Sequence, residues 1–182
     1  MYWYGGFKEV ITPKLKGYVS LIVYVDDFVV TFQHKSDAEW FYEHLKHKMG
    51  HFGLCLEEEK SRLIEFGRYA KERCGKAGTK SSTFTFLGFT HYCSESRNGR
   101  FREKRKTSKK KFAKKCREVN LLLAKMRTCR LKEIIAKPNQ ILTGYYHYYG
   151  ITDNTESITA FWVQYHEKPV LLPEPEKPEE KL

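Results

Sequence analysis

The sequence predicts an α+β fold in which short antiparallel strands and one helix come first and a set of helices follows. Three observations support this prediction. Two apolar, β-branched runs with a pair of acids between them indicate a hairpin over 18–32. Apolar residues recur at three- and four-residue spacing in 36–52, 109–126 and 138–150, which indicates amphipathic helices. Apolar and polar residues alternate over 83–92, which indicates a further strand.

The hairpin is the most informative segment. Its tip is Tyr24-Val25-Asp26-Asp27, where a tight turn joins two short strands that are expected to be buried. Adjacent carboxylates on an apolar hairpin are costly to desolvate unless a cation holds them, and Mg²⁺ (or Mn²⁺) takes oxygen ligands of this kind. Aspartate is also a favoured turn residue, so a polar turn without a metal is the alternative.

A helix is expected after the hairpin. Ser36 and Glu39 have the spacing of a capping box at its start. Its apolar stripe, which we expect to pack beneath the sheet, consists of Ala38, Phe41, Leu45, Met49 and Phe52. His44, His47 and His51 lie elsewhere on the helix, where a solvated face is favoured over a metal site because no carboxylate or cysteine completes the set.

The next segments are shorter. Residues 54–56 and 62–66 are expected to be strands around 57–60. Residues 68–82 are rich in Lys, Arg, Gly and Ser and are expected to form a mobile loop. In 83–92, Gly88 suits a bulge or the close approach of another backbone.

A strongly basic segment begins on a predicted strand and continues into a helix. It contains one acid, Glu103, against Arg97, Arg100, Arg102, Lys104, Arg105, Lys106, Lys109, Lys110, Lys111, Lys114, Lys115 and Arg117. The helix also has an apolar stripe, namely Phe112, Cys116, Val119, Leu123 and Met126. A solvated basic face is the usual interpretation, but so one-sided a charge favours phosphate binding. Phe89, Tyr92 and Phe101 could stack on bases, although core packing explains them equally well.

Two more helices are expected towards the C-terminus. Pro138 suits the first turn of a helix, because its missing N–H is not needed there. The buried face of this helix is expected to contain Ile141, Leu142, Tyr145, Tyr148 and Tyr149. Gly150 suits its C-terminal cap, and 157–165 is expected to be a third, short helix. From 167 onwards Pro, Glu and Lys dominate, which predicts disorder.

Charge and composition narrow the function classes. The net charge of +11 favours a polyanionic partner, nucleic acid first and an anionic membrane surface second. No run approaches the roughly 20 apolar residues of a membrane span, and we expect no membrane association through a span. The five cysteines are widely spaced without a Cys-x-x-Cys pair, which predicts reduced thiols and a cytoplasmic location.

Several motifs in order resemble the group II intron-encoded reverse transcriptase/maturase family, across roughly 1–165. Tyr-x-Asp-Asp at 24–27 resembles the palm motif of reverse transcriptases. The later motifs are Gly53-Leu54-Cys55-Leu56, Glu59-Lys60-Ser61, Phe66-Gly67-Arg68, Phe86-Leu87-Gly88-Phe89, Lys106-Thr107 and the tyrosine-rich run from Gly144 to Gly150. The resemblance implies a partial palm over 1–92, a helical thumb over 93–166 and a tail over 167–182.

The resemblance also implies roles for individual residues. Asp26 and Asp27 would hold catalytic Mg²⁺, with Tyr24 beside the nucleotide. Lys60 would lie near the nucleotide's phosphates, although an ordinary surface lysine in a salt bridge is the equal alternative. Phe86, Leu87, Gly88 and Phe89 would form a primer grip, and the basic segment would bind a template–primer or intron RNA.

The family's catalytic site also uses an aspartate upstream of the hairpin. In this sequence Glu9 is the only acid before Asp26. We therefore expect the fingers and upstream palm to be missing and the chain to be inactive as a polymerase on its own. Two alternatives remain: a non-catalytic RNA-binding module that acts as a maturase, and one subunit of a split enzyme whose N-terminal half is a separate polypeptide.

Overall fold

The computed structural model describes residues 7–57 and 61–166. The chain divides into two compact units, Met1–Phe66 and Gly67–Leu182. The division at residue 92 that the sequence suggested concerns palm and thumb roles and stays a prediction. Lys60 and the expected disorder of 167–182 lie outside the described residues. No helix within the described ranges is both long and apolar enough to cross a membrane.

The first unit is built on the predicted hairpin. Its elements are a π-helical turn Phe7–Ile11, a 3-10 turn Thr12–Lys14, strands β1 (Val19–Tyr24) and β2 (Asp27–Phe32), and helix α1 (Lys35–His51). The strands pair antiparallel from Val19↔Phe32 to Tyr24↔Asp27. The hairpin prediction is therefore confirmed, with Val25 and Asp26 as the two-residue turn.

Helix α1 packs on the base of this hairpin. The buried core consists of Phe7, Leu21, Phe41 and Leu45, and the Phe7 and Phe41 rings meet edge-on at 5.6 Å. Met49 packs at the margin of this core, so the predicted stripe is confirmed from Ala38 to Met49. Phe52 is 71% exposed and its assignment to the stripe is wrong, because the helix ends at His51 and the chain turns away at Gly53 (φ 66°).

The predicted capping box is wrong. The N-cap residue is His34, so Ser36 lies inside the first turn, and no side chain caps the helix. The adjacent Asp37 is buried instead, and its carboxylate accepts hydrogen bonds from the backbone N–H groups of Lys16 (3.0 Å) and Gly17 (2.9 Å). A carboxylate that satisfies two loop donors ties the segment before β1 to the start of α1.

The strands predicted at 54–56 and 62–66 are absent from the described residues. Both segments have irregular backbone, and Leu54 (56%) and Leu63 (46%) are exposed. A short apolar run forms a strand only where a neighbouring strand pairs with it. Within the described chain neither run has such a neighbour, although Leu56 packs at the edge of the first core.

The second unit combines a three-stranded sheet with helices. Its elements are α2 (Arg68–Lys76), β3 (Phe84–Phe86), β4 (Phe89–Glu95), β5 (Phe101–Thr107), α3 (Lys109–Lys125), α4 (Leu131–Tyr149), a 3-10 turn Thr152–Asn154 and α5 (Thr155–His166). The sheet order is β3-β4-β5, with both pairs antiparallel. The mixed α and β content agrees with the predicted class.

Helix α2 overturns the loop predicted for 68–82 over its first part, 68–76, whereas 77–82 contains no helix or strand. Ala70 is 2% exposed, so the segment has a buried face. Arg68 pairs with Glu72 one turn on (3.0 Å), and Lys71 reaches Glu95 on β4 (2.6 Å). Lys and Arg are good helix formers once a face can be buried, and composition alone did not reveal that face.

The single strand predicted over 83–92 is a hairpin. β3 and β4 are joined by Leu87 and Gly88, both with positive φ (49° and 79°). A two-residue turn of this kind matches the twist of the flanking strands, and glycine meets its backbone demand without strain. The predicted bulge at Gly88 is therefore a turn.

The three C-terminal helices share one core. It consists of Cys116, Val119, Leu142, Tyr145 and Phe161. The predicted stripe on α3 is confirmed, since its five residues are buried or packed against this core or at the helix end. The C-terminal glycine cap of α4 at Gly150 and the short last helix are also confirmed.

Two details of α4 differ from the prediction. Pro138 lies inside the helix, because the chain is already helical from Leu131 and Ile134 is buried at 6%. Proline there removes the hydrogen bond to the Ile134 carbonyl, a loss that the packing of the preceding turn tolerates. Tyr148, expected on the buried face, is 53% exposed.

A buried amide joins the sheet to the last helices. Asn154 is 1% exposed, and its Oδ1 accepts the backbone N–H of Thr107 (2.7 Å). Its Nδ2 donates to the Thr107 hydroxyl (2.7 Å) and to the Tyr149 carbonyl (2.9 Å). Three satisfied bonds on one buried side chain fix the end of β5 against the C-terminus of α4.

Tyrosines that are partly or fully buried are expected to make the second unit sensitive to alkali. Burial raises the pKa above its usual 10.0 at Tyr92, Tyr145, Tyr146, Tyr149 and Tyr165. Such a tyrosine stays protonated in the folded state while the unfolded chain loses the proton. The free energy of unfolding should therefore be unaffected by these groups below about pH 10 and fall as the pH rises above it, by at most about 1.4 kcal/mol per pH unit for each tyrosine.

Tyr146→Phe should make this alkaline loss shallower. The Tyr146 hydroxyl is buried without a hydrogen-bond partner among the described residues, so its removal should not lower stability at pH 7. Urea melts at pH 7, 10 and 11 would measure the effect, with the exposed Tyr69→Phe as the control. Equal pH dependence in wild type and Tyr146→Phe would contradict the assignment.

Candidate metal centre and nucleic-acid interface

The hairpin tip holds its two acids in a strained turn. Tyr24 and Asp27 form the last strand pair, with Val25 and Asp26 between them. Val25 has φ 54°, in the left-handed region that a β-branched residue rarely adopts. Turns with positive φ at this first position usually have glycine there, and the strain is worth about 1–3 kcal/mol. An outlier of this kind, next to two carboxylates, favours a functional interpretation of the tip.

The side chains at the hairpin tip are exposed to solvent. Asp26 and Asp27 are exposed, as are Ile22 (51%), Tyr24 (59%) and Val25 (80%), whereas Leu21 at the hairpin base is buried. The expectation of two buried strands is therefore wrong for the outer half of the hairpin, because α1 covers only the base. The desolvation argument for a cation fails with it, since exposed carboxylates keep their water.

The donor chemistry nevertheless fits a divalent ion. Mg²⁺ is commonly held by one or two carboxylates, with water and substrate phosphates as its other ligands, and Asp26 and Asp27 offer two such groups. In the described part of the chain, no three His, Cys, Asp or Glu side chains cluster to hold a metal. The histidines of α1 belong to no such cluster among the described residues. The His44 ring instead stacks on Trp40, with 4.9 Å between the ring centres.

The predicted basic residues follow one another along the chain from the β4–β5 turn through β5 into α3. The basic surface comprises Arg97 and Arg100 in the β4–β5 turn, Arg102, Lys104, Arg105 and Lys106 on β5, and Lys109, Lys110, Lys111, Lys114 and Lys115 on α3. Most of these side chains are exposed, while Lys104 and Lys115 are half-buried. The strand-to-helix placement that the sequence predicted is confirmed.

On β5 two of the cations on one face, Arg102 and Lys106, have local partners. The register places Lys104 opposite Tyr92 and Lys106 opposite Thr90. The Lys106 ammonium lies 5.1 Å from the centre of the Tyr92 ring, and Arg102 pairs with Asp153 at 3.2 Å. One cation of this face is therefore neutralised by an acid of its own unit, and a second lies over an aromatic ring.

The start of α3 is different. Ser108 caps the helix by accepting the Lys111 N–H at 3.4 Å, and the first turn contains no acid. Lys109, Lys110 and Lys111 are exposed and make no ion pair with any described residue. Further along, Lys114 and Lys115 share Glu118. Three consecutive exposed lysines without an acidic partner among the described residues therefore lie at the start of α3.

The β3–β4 turn is fastened to this helix start. The Gly88 carbonyl accepts the Ser108 N–H (2.9 Å), and the Leu87 carbonyl accepts the Tyr148 hydroxyl (2.8 Å). A Cβ at position 88 would lie 2.7 Å from the Tyr149 hydroxyl oxygen, so space as well as φ selects glycine. The turn, the helix start and the end of α4 form one fixed arrangement.

In the predicted primer grip, the Phe89 ring packs against other aromatic side chains of the same unit. Phe89 stacks on Tyr148 at 5.7 Å and meets Tyr149 edge-on at 5.1 Å. Phe86 pairs with Phe89 across the turn. Tyr148 also lies at this place; the sequence predicted it for the buried face of α4 and indicated no binding role for it. Its only signal in the sequence was the tyrosine-rich run from Gly144 to Gly150, which is equally typical of residues in a buried core.

A match to a known protein family includes both the hairpin and the β3–β4 turn. Residues 6–91 match the model of the family described as Reverse transcriptase (RNA-dependent DNA polymerase). The match includes Tyr24, both tip aspartates and all of 86–89, and ends before the basic surface. No curated protein and no solved structure matches the chain. Over residues 6–91, the chain is therefore similar to the reverse transcriptase family.

Proposed function

We propose that the chain is the palm and thumb portion of a group II intron-type reverse transcriptase/maturase. Its basic surface binds intron RNA or an RNA–DNA template–primer, and Asp26 and Asp27 contribute two ligands for Mg²⁺ or Mn²⁺. The observation that carries the proposal is the reverse transcriptase match, which includes the tip Tyr24-Val25-Asp26-Asp27. The uncompensated lysines at 109–111 support the nucleic-acid partner.

Each part of the chain has a separate task in this proposal. Bound Mg²⁺ would supply positive charge to the oxygens of a transferring phosphoryl group. Asp26 and Asp27 would hold the ion through carboxylate oxygens, and Tyr24, which pairs with Asp27 in the strand register, would lie beside the nucleotide. Lys60 serves the nucleotide's phosphates, and the turn at 86–89 positions the primer end.

A second candidate is a non-catalytic RNA-binding module that acts as a maturase. It is favoured by the exposure of both tip carboxylates and by the lack of a three-residue metal cluster among the described residues. In a split enzyme, a separate N-terminal polypeptide would supply the third carboxylate. The two differ in one property, since only the split enzyme copies RNA when the missing half is added.

RNA binding tests what these candidates share. We expect the chain to bind a fluorescein-labelled structured RNA with an affinity that falls linearly with salt on log–log axes, because neutralised phosphates release their counterions. A structured RNA should compete better than a short unstructured strand of equal charge if shape is recognised. Anisotropy titrations at five salt concentrations measure both. Weak binding at low salt would refute the proposal.

A further inference from the structure

Tyr148 presents an aromatic ring that the fold holds in place but does not bury. It is 53% exposed, although one side of the ring stacks on Phe89 with an interplanar angle of 20°. Tyr149 meets it edge-on at 4.7 Å, and the Tyr148 hydroxyl donates to the Leu87 carbonyl at 2.8 Å. The side chain is therefore fixed at its hydroxyl end and packed against two rings, while about half of the residue remains exposed to solvent.

This ring adjoins the uncompensated part of the basic surface. The Leu87 carbonyl that holds Tyr148 belongs to the same two-residue turn as the Gly88 carbonyl. The Gly88 carbonyl accepts the N–H of Ser108, which directly precedes Lys109, Lys110 and Lys111. The exposed lysines at 109–111 and the Tyr148 ring are therefore both attached next to the β3–β4 turn, within the second unit.

We infer that Tyr148 is a stacking platform for one unpaired nucleobase, whose flanking phosphates contact the lysines at 109–111. The inference rests on the proposed nucleic-acid binding and names the residue that recognises a base. Exposed aromatic side chains beside cations are the usual means of holding single-stranded nucleic acid, because every base has a π face. A ring already fixed by its neighbours loses little conformational freedom when the base arrives.

Other aromatic residues of this region are less suited to the role. Both Tyr148 and Tyr149 contact the Phe89 ring, and Lys106 lies over Tyr92. Phe89 instead supports the platform from behind. The competing explanation for Tyr148 is purely structural, namely a clamp on the β3–β4 turn through the Leu87 hydrogen bond.

Two substitutions at the same position separate these explanations. Tyr148→Phe keeps the ring and removes the hydrogen bond, whereas Tyr148→Leu removes the ring and keeps an apolar side chain. The probe is a single-stranded RNA with one 2-aminopurine, and the control is a blunt duplex of the same RNA. Tyr69→Leu changes another exposed tyrosine, on α2, and is the matched control variant.

We expect Tyr148→Leu to weaken single-strand binding by roughly tenfold, with a much smaller effect on the duplex. Tyr148→Phe and Tyr69→Leu should stay within about twofold of wild type. Stacking should quench 2-aminopurine in wild type and Tyr148→Phe but not in Tyr148→Leu. The salt slope should be the same in all variants, because no cation changes.

Several outcomes would overturn the platform. Equal losses for Tyr148→Phe and Tyr148→Leu would indicate the clamp, as would an equal effect on single strand and duplex. If Tyr148→Leu lowers the thermal midpoint, its weaker binding no longer separates the two explanations. The 2-aminopurine quenching by Tyr148→Phe then separates them, because a purely structural clamp does not stack on the base and predicts no quenching. RNA binding that survives Tyr148→Leu unchanged refutes the platform alone, whereas failure of the wild-type chain to bind RNA refutes the proposed function as well.

Discussion

Replacing Lys109, Lys110 and Lys111 together with glutamine should weaken binding to structured RNA by about a hundredfold near 0.1 M salt and flatten its salt dependence. Each lysine that contacts a duplex phosphate contributes about 0.9 to the log–log slope, so the slope should fall by up to about three, and by less for single strands. Glutamine keeps the helix propensity of the first turn, and the apolar stripe of α3 stays intact. Anisotropy titrations at several salt concentrations measure both quantities.

The control is a second triple variant with the same change in net charge. Lys14, Lys16 and Lys48 are exposed lysines of the first unit, and their replacement by glutamine should alter the slope little. Equal losses in the two variants would mean that net charge alone, and no defined surface, attracts the RNA. An unchanged slope in the first variant would remove α3 from the interface.

Asp26→Asn or Asp27→Asn should abolish metal binding at the hairpin tip. A neutral amide is a far weaker ligand for a hard cation than a carboxylate is, and among the described residues the tip offers only these two carboxylates. In wild type, Mn²⁺ should broaden the backbone amide resonances of residues 24–28 selectively. Either variant should lose this broadening, whereas Glu9→Gln, a change at another exposed acid of the same unit, should keep it.

Catalysis should follow the same residues. Because no aspartate precedes Asp26 in the sequence, we expect no primer extension by the 182-residue polypeptide alone with Mg²⁺ or Mn²⁺. Added to a polypeptide that supplies the upstream palm aspartate, the chain should extend a primer, and either tip substitution should reduce the rate by more than about a hundredfold. Extension by the chain alone, lost in the tip variants, would refute the missing-carboxylate argument.

Local patterns predicted much of this fold. The hairpin and the stripes of α1 and α3 are encoded by residues within a few positions of one another, so periodicity found them. The errors at 54–56, 62–66 and 68–76 have another origin. In each, the state of the segment depends on whether a distant element covers it, as β4 does for α2 through Lys71 and Glu95.

The candidate site divides in the same way. Asp26 and Asp27 are neighbours in sequence, and their position at a turn followed from the flanking strands. Their exposure did not, because it depends on how far α1 extends along the hairpin. Tyr148 owes its orientation to Leu87, 61 residues earlier, and a single sequence carries no sign of that contact.

The buried amide of Asn154 has a consequence for how this gene can vary. A stop codon just after Gly150 would leave every lysine and arginine of the basic surface encoded. It would also remove Asn154, the partner of Thr107, and Phe161, which is completely buried against the helix that bears those lysines. The cations would then lie on a scaffold with an open core. Selection that preserves the basic surface must therefore preserve the last helix too. We expect the two to be conserved together or lost together.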